Sequence, residues 1–130
     1  MERRIQWVSR PMIEPYSPDM LSIVRSVLPR NRSLGITGAL YFTEAAFFQV
    51  LEGVPEAISA VLGRIETDPR HSDVTVIEDV AIPHRLFGAH DMKFVDGARY
   101  RVAATPLDFD AVLRLDNRQR QDLTLSMLRA

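Results

Sequence analysis

Gln49 stands in "FFQVLEG", the most apolar strand-like stretch of the chain. A carboxamide offers two donors and an acceptor, and burying one without partners costs roughly 1–3 kcal/mol. Its partner is either a neighbouring backbone group or the edge of a ligand. Asn31 supplies a second amide, and "DPRH" places Asp68, Arg70 and His71 close together. Ile23 and Ile65 fall on the inward stripes of two expected helices. Apolar walls ringed by amides and an arginine would suit a planar heteroaromatic molecule. Asn31, Gln49 and Arg70 would read its rim, and Ile23 and Ile65 would cover its faces. Arg30 and Arg64, beside Asn31 and Ile65, are the better placed cations for a phosphate or diphosphate; Arg25 and Arg32 fit solvated helix faces.

The elements that would position these groups follow from periodicity. "RIQWVSR" alternates Ile5, Trp7 and Ser9 with Gln6, Val8 and Arg10, as a strand does. Ser17 and Pro18 open a helix, the serine as cap and the proline where a missing N–H costs nothing. Its stripe runs from Met20 to Leu28, and Pro29 is expected to end it or distort its last turn, with Asn31 closing it. Residues 34–42 and 45–53 form a hairpin, with Gly35 and Gly38 in its first strand as points of close approach. Pro55 opens a second helix with Ile58, Val61, Leu62 and Ile65 inward, closed by Asp68, Arg70 and His71. Residues 74–83 and 90–95 are strands four and five. The order is βαββαβ plus one strand, an α+β ferredoxin-like sheet with both helices on one face. Strand three is apolar on both sides, so the tail, as two short helices after Pro106, is expected to cover the second face or an oligomer interface. The expected division is residues 1–97 as a ligand-binding domain and 98–130 as a helical extension.

Composition limits the alternatives. The chain has 130 residues and a formal net charge of −1, which argues against a nucleic-acid binder or a polybasic membrane-surface protein. Cysteine is absent, so thiol catalysis and thiolate metal sites are excluded. His71, His84 and His90 are too scattered for a metal site, and no Gly-rich phosphate loop or Ser-His-Asp pattern is present. No segment reaches the roughly 20 apolar residues of a spanning helix, and the N-terminus lacks a signal-peptide run, so a cytoplasmic location is expected.

"NRSLGITGALYF", "FFQVLEG", "DPRHSDV" and "RLFGAHDMKF", in that order, resemble the BLUF family of blue-light sensors using FAD, colinearly from about Arg4 to Val95. The resemblance implies a ferredoxin-like sheet with the flavin between its two helices, and a sensory rather than enzymatic role. It assigns Asn31 to the polar edge of the isoalloxazine ring and Gln49 to the region of N5 and O4. Asp68 and Arg70, with His71, match the family's D-x-R-H on the pyrimidine side, Ile23 and Ile65 sandwich the ring, and Met92 matches the methionine of strand five. Ser9 matches the small polar residue two positions after the family's photoactive tyrosine, and that position itself holds Trp7. In the family the tyrosine gives an electron and a proton to the excited flavin, the glutamine rearranges, and the absorption shifts red. An indole N–H only donates, so the ordinary switch is expected to be altered or disabled here. His90 stands where the family commonly has tryptophan, and "TEAAFF" lacks the hairpin glycine often found there.

Output through a downstream protein partner is expected, with a homo-oligomer formed through the apolar tail or second sheet face, and, given the near-neutral charge, neither nucleic acid nor membrane as partner. A light-insensitive interaction module of the same fold is the nearest alternative. A small acyl-phosphate hydrolase is more remote, because no phosphate-loop arginine followed by a catalytic amide is apparent.

Overall fold

The computed structural model describes residues 1–100 and 105–130. Its elements are β1 (Glu2–Pro11), α1 (Pro18–Leu34), β2 (Thr37–Phe42), β3 (Phe47–Gly53), α2 (Pro55–Thr67), β4 (His71–Ile82), β5 (Lys93–Asp96), α3 (Phe109–Leu113) and α4 (Asn117–Arg129). The sheet order is β4-β1-β3-β2-β5, antiparallel except for the parallel pair β2–β5. This is the ferredoxin-like arrangement with a fifth strand added.

Side-chain alternation separates two cores. Ile5, Trp7, Leu40, Phe47 and Leu51 pack with Met20 and Val27 of α1 and Ile58, Val61 and Ile65 of α2. Val8, Ala39, Tyr41, Phe48 and Val50 point the other way and pack with Phe109, Val112, Leu123 and Met127 of α3 and α4. The tail lies on the second face of the sheet, although residues 101–104 of the expected extension fall outside the described residues.

Ser17 caps α1 by accepting from the Met20 N–H at 3.2 Å. Pro29 does not end the helix: α1 runs to Leu34 with the proline inside it. A proline there removes one backbone bond. Asn31 and Arg32 hold the following turn, donating to the Asp91 carbonyl at 2.8 Å and the Asp91 carboxylate at 2.9 Å. Asn31 therefore sits within the last turn rather than closing the helix. Gly35 is not in a strand; at φ 64° it is the left-handed cap of α1, donating to Arg32 and Asn31 carbonyls. Gly38 does mark a close approach, since a Cβ there would lie 1.9 Å from the Val50 carbonyl oxygen.

His71 begins β4 instead of closing α2, whose cap is Asp68. Pairing shifts twice along β1–β4, and Asp73 takes φ 58° inside the second irregularity. A bulge absorbs an extra residue and lets pairing extend beyond the simple alternation. Strand five is shorter than expected, so His90 and Met92 lie on the approach to β5 and not within it.

Candidate functional site

One row of side chains crosses the sheet beneath the helices. Trp7 on β1 is opposite Gln49 on β3, Gln49 is opposite Leu40 on β2, and Leu40 is opposite Phe94 on β5. Period-two alternation turns all four toward α1 and α2. They floor a pocket of about 240 Å³ whose walls are Ile23, Ser26, Val27 and Arg30 from α1 and Arg64 and Ile65 from α2. Phe47, Asp68, Arg70 and His71 complete it. Of the residues singled out in the sequence, Trp7, Ile23, Arg30, Gln49, Arg64, Ile65, Asp68, Arg70 and His71 line this one slot. Met92 and Ser9 touch lining residues, through Gln49 and His71, whereas Asn31 follows Arg30 in α1 and is not itself among the lining residues. Leu40, Phe47, Phe94 and Ser26 were not singled out. Phe47 shares Gln49's face by alternation, whereas Leu40 and Phe94 arrive through strand pairings that local sequence does not disclose.

The polar groups are individually fixed. Gln49 is 4% exposed and its Nε2 donates to the Met92 sulfur at 3.4 Å. Asn31 is fully buried; its Nδ2 donates to the Asp91 carbonyl at 2.8 Å, while its Oδ1 has no partner among the described residues. Trp7 is 4% exposed, and its Nε1–H is likewise unpartnered among the described residues. His71 spans the end of the slot. Its Nε2 lies 2.5 Å from the Ile65 carbonyl and its Nδ1 lies 2.7 Å from Ser9 Oγ. A carbonyl only accepts, so Nε2 carries the proton and, in the neutral ring, Nδ1 accepts from the Ser9 hydroxyl. The imidazole meets the Trp7 ring edge to face at a centroid distance of 5.4 Å.

The mouth of the slot is cationic. Arg70 grips Asp68 through two parallel bonds, Nε to Oδ1 at 2.9 Å and Nη2 to Oδ2 at 2.6 Å. Hydrogen bonding from Arg70 holds the Asp68 carboxyl below the ordinary aspartate value, against an opposing effect of burial. Among the described residues, Arg30 has no such partner. Burial, reinforced by nearby Arg64 and Arg70 and resisted by Asp68, lowers its guanidinium pKa from the ordinary arginine value. The Arg30 Nε is unpartnered among the described residues. Three arginines against one carboxylate call for an anion, and an orphaned donor on Trp7 in the floor, with an orphaned acceptor on Asn31 next to Arg30, call for a polar rim. Both demands are met by a planar, imide-edged ring carrying phosphates, so the residues present fit a flavin nucleotide.

Residues 3–93 match the family described as "BLUF: Sensors of blue-light using FAD". The photoactivated adenylate cyclase subunit beta of Euglena gracilis is 32% identical over 93 residues, which is 70% of this chain but 11% of that protein. Among solved structures, the dark state of BlrB, a BLUF protein, superposes with a TM-score of 0.84 at 27% identity, covering 98% of this chain and 96% of that one. The ground state of BlsA superposes with a TM-score of 0.85 at 25% identity, covering 100% of this chain and 89% of that one. With its sheet, its helix-lined slot and a family match over most of its length, the chain belongs to the BLUF family, the sensors of blue light using FAD.

Proposed function

We propose that this chain is a flavin-binding sensory protein in which Trp7 has disabled the family's usual light switch, leaving output to protein–protein contact rather than catalysis. FAD would lie between α1 and α2, with Ile23 and Ile65 against the ring faces. Asn31 Oδ1 would accept from the ring imide N–H, and Gln49 would present its carboxamide to the adjoining region of N5 and O4. Arg70, oriented by Asp68, and His71 would serve the pyrimidine side, while Arg30 and Arg64 would neutralise phosphate. When bound, FAD supplies absorption of blue light and an excited state that accepts an electron.

The observation that carries the proposal is the pairing of Trp7 with Gln49 across β1 and β3, together with the unpartnered indole N–H. A phenol at this position both donates and accepts, so it could hold the glutamine amide in either orientation. An indole cannot accept. Gln49 is instead held by Met92; a rotated amide would turn its oxygen, which cannot donate, toward that sulfur, and its NH2 could find no acceptor in Trp7. Reorientation of Gln49 therefore lacks the second stable state that a switch requires; a tenfold population change needs about 1.4 kcal/mol between states.

The test is a visible absorption spectrum of the FAD-loaded protein before and after blue illumination, on the native chain and on Trp7→Tyr. The native chain should show a flavin band without a lasting red shift, and Trp7→Tyr should acquire a slowly reversing one. A normal reversible red shift in the native chain would refute the assignment to Trp7.

A further inference from the structure

Three large apolar side chains left in solvent come from one stretch: Met12, Tyr16 and Leu21 are 65%, 70% and 49% exposed. They gather where the loop after β1 enters α1. Tyr16 and Leu21 wall a groove of about 570 Å³ there, with Val24 beside them and Met20, Phe42 and Phe94 as its floor. Apolar residues scattered singly over a surface need no explanation, but a contiguous apolar groove does. Phe94 lines the flavin slot as well, so the two cavities share one side chain.

The groove is already shaped in the free protein. Tyr16 is mostly exposed, yet its hydroxyl donates to the Asp96 carboxylate at 2.6 Å, and Asp96 accepts in turn from the Ala98 N–H at 3.0 Å. That tie holds the exposed ring upright as a lip. The Ser17 hydroxyl donates to the Glu14 carbonyl at 2.7 Å and fixes the loop that carries Tyr16. A surface ordered in advance avoids part of the entropy cost of binding.

The rim is acidic. Ser17 also borders an adjoining hollow lined by Glu14, Asp19 and Glu44, and among the described residues no cation lines either cavity. None of the three carboxylates forms an ion pair among the described residues. Asp19 stands in the first turn of α1, where the positive end of the helix answers it. Glu14 and Glu44 remain uncompensated. Arg99 lies on the Asp96 side, its backbone N–H donating to the Asp96 carbonyl at 3.1 Å.

We propose that this groove docks a protein partner through a segment that carries a large apolar side chain flanked by arginine or lysine. The apolar group would fill the groove between Tyr16, Leu21 and Phe94, and the cation would meet Glu14 and Glu44. An acidic rim repels anionic lipid and nucleic acid, which favours a polypeptide. The proposal rests on the reading that output passes by contact rather than catalysis, and it gives that contact a surface. Phe94 pairs with Leu40, and Leu40 with Gln49, so the partner would touch a side chain of the flavin slot's own floor.

The test pans a phage-displayed library of random dodecapeptides against the full chain loaded with FAD. One selected peptide, made synthetically, is then titrated while the Tyr16 and Leu21 amide signals are followed by ¹⁵N NMR. Selected sequences should pair a large apolar residue with arginine or lysine, and the peptide should shift both signals saturably. Leu21→Asp, exposed and outside the flavin slot, should weaken binding roughly tenfold or more, and Glu14→Arg with Glu44→Arg roughly tenfold. The flavin band should persist in both variants. A retained band without peptide binding would sink the docking groove and leave the flavin reading standing; a colourless chain that binds the peptide would do the reverse. Equal binding by both variants overturns the proposal. So does a concentration-dependent dimer abolished by Leu21→Asp, which assigns the groove to a second copy. Binding by the riboflavin-loaded chain alone also overturns it, assigning the groove to the adenosine of FAD.

Discussion

Gln49 sits between an indole that only donates and a thioether that only accepts. The Met92 sulfur takes its N–H at 3.4 Å, and across the strand the Trp7 ring offers no lone pair. If Trp7→Tyr restores a light-driven shift, Gln49→Leu in the Trp7→Tyr background should abolish it again while keeping the flavin band, because the leucine fills the space without an amide. Illuminated difference spectra of that double variant check this. Asp68 gives a pH prediction. Its carboxyl is lowered by hydrogen bonds from Arg70, so the native state binds its proton less readily than the unfolded chain does. The stabilisation is complete above the ordinary aspartate value of about 3.9 and drains as pH falls through the lower folded value. Asp68→Asn should therefore flatten the acid end of the stability curve, as read by thermal unfolding between neutral pH and pH ~3. These side chains were legible in sequence because each violates its surroundings: an amide in an apolar strand, an arginine beside an aspartate at a helix end. Leu40, a cross-strand neighbour of Gln49, and Phe94, the neighbour of Leu40, violate nothing. Ordinary apolar residues in strands, they are identified as floor of the slot only by register.

Among the elements, α1 and β2 carry the sharpest local requirements. Ser17 accepts from the Met20 N–H, and Ser17→Ala should destabilise the protein by about 1 kcal/mol in urea unfolding, with the slot intact. Gly38 is far less replaceable. The Val50 carbonyl 1.9 Å from its would-be Cβ is backbone and cannot move aside, so Gly38→Ala should cost about 3 kcal/mol or more by displacing β2 from β3. The same urea titration compares the two. Sequence pattern located both residues, and it located the two helices through their stripes and prolines. It misplaced Gly35, because a glycine just before a strand and a glycine capping a helix look alike until the end of the helix is known. It shortened α1 because proline is a strong local stop, whereas the bonds that carry the helix past it reach Asp91, sixty residues on. It also began β4 too late, since a bulge at Asp73 breaks the two-residue period that identifies a strand.

Across the whole molecule, one sheet serves two cores, and the segment between β4 and β5 is fastened to both. Glu52, fully buried on the second face, accepts from the Leu86 and Phe87 N–H groups at 2.8 Å each, and Phe87 is buried in the second core. Further along the same segment, the Asp91 carbonyl accepts from Asn31 and the Met92 sulfur from Gln49. The tail matters to this arrangement as covering for the second face. Phe109 is 5% exposed, with the Arg10 guanidinium 4.1 Å from its ring centroid. Phe109→Ala should cost roughly 3–5 kcal/mol by leaving a cavity against the sheet, measurable by chemical unfolding. The two-faced apolar pattern of β3 predicted that some cover was needed, but which residues meet could be seen only in the packed chain. The most direct test of the central claim, a flavin clasped between α1 and α2 with the Gln49 carboxamide at its rim, is the side-chain amide resonance of Gln49 in ¹⁵N NMR, recorded before and after FAD is added in the dark. A marked shift of that resonance together with the Trp7 indole signal is predicted; FAD uptake that leaves both unchanged would contradict the account.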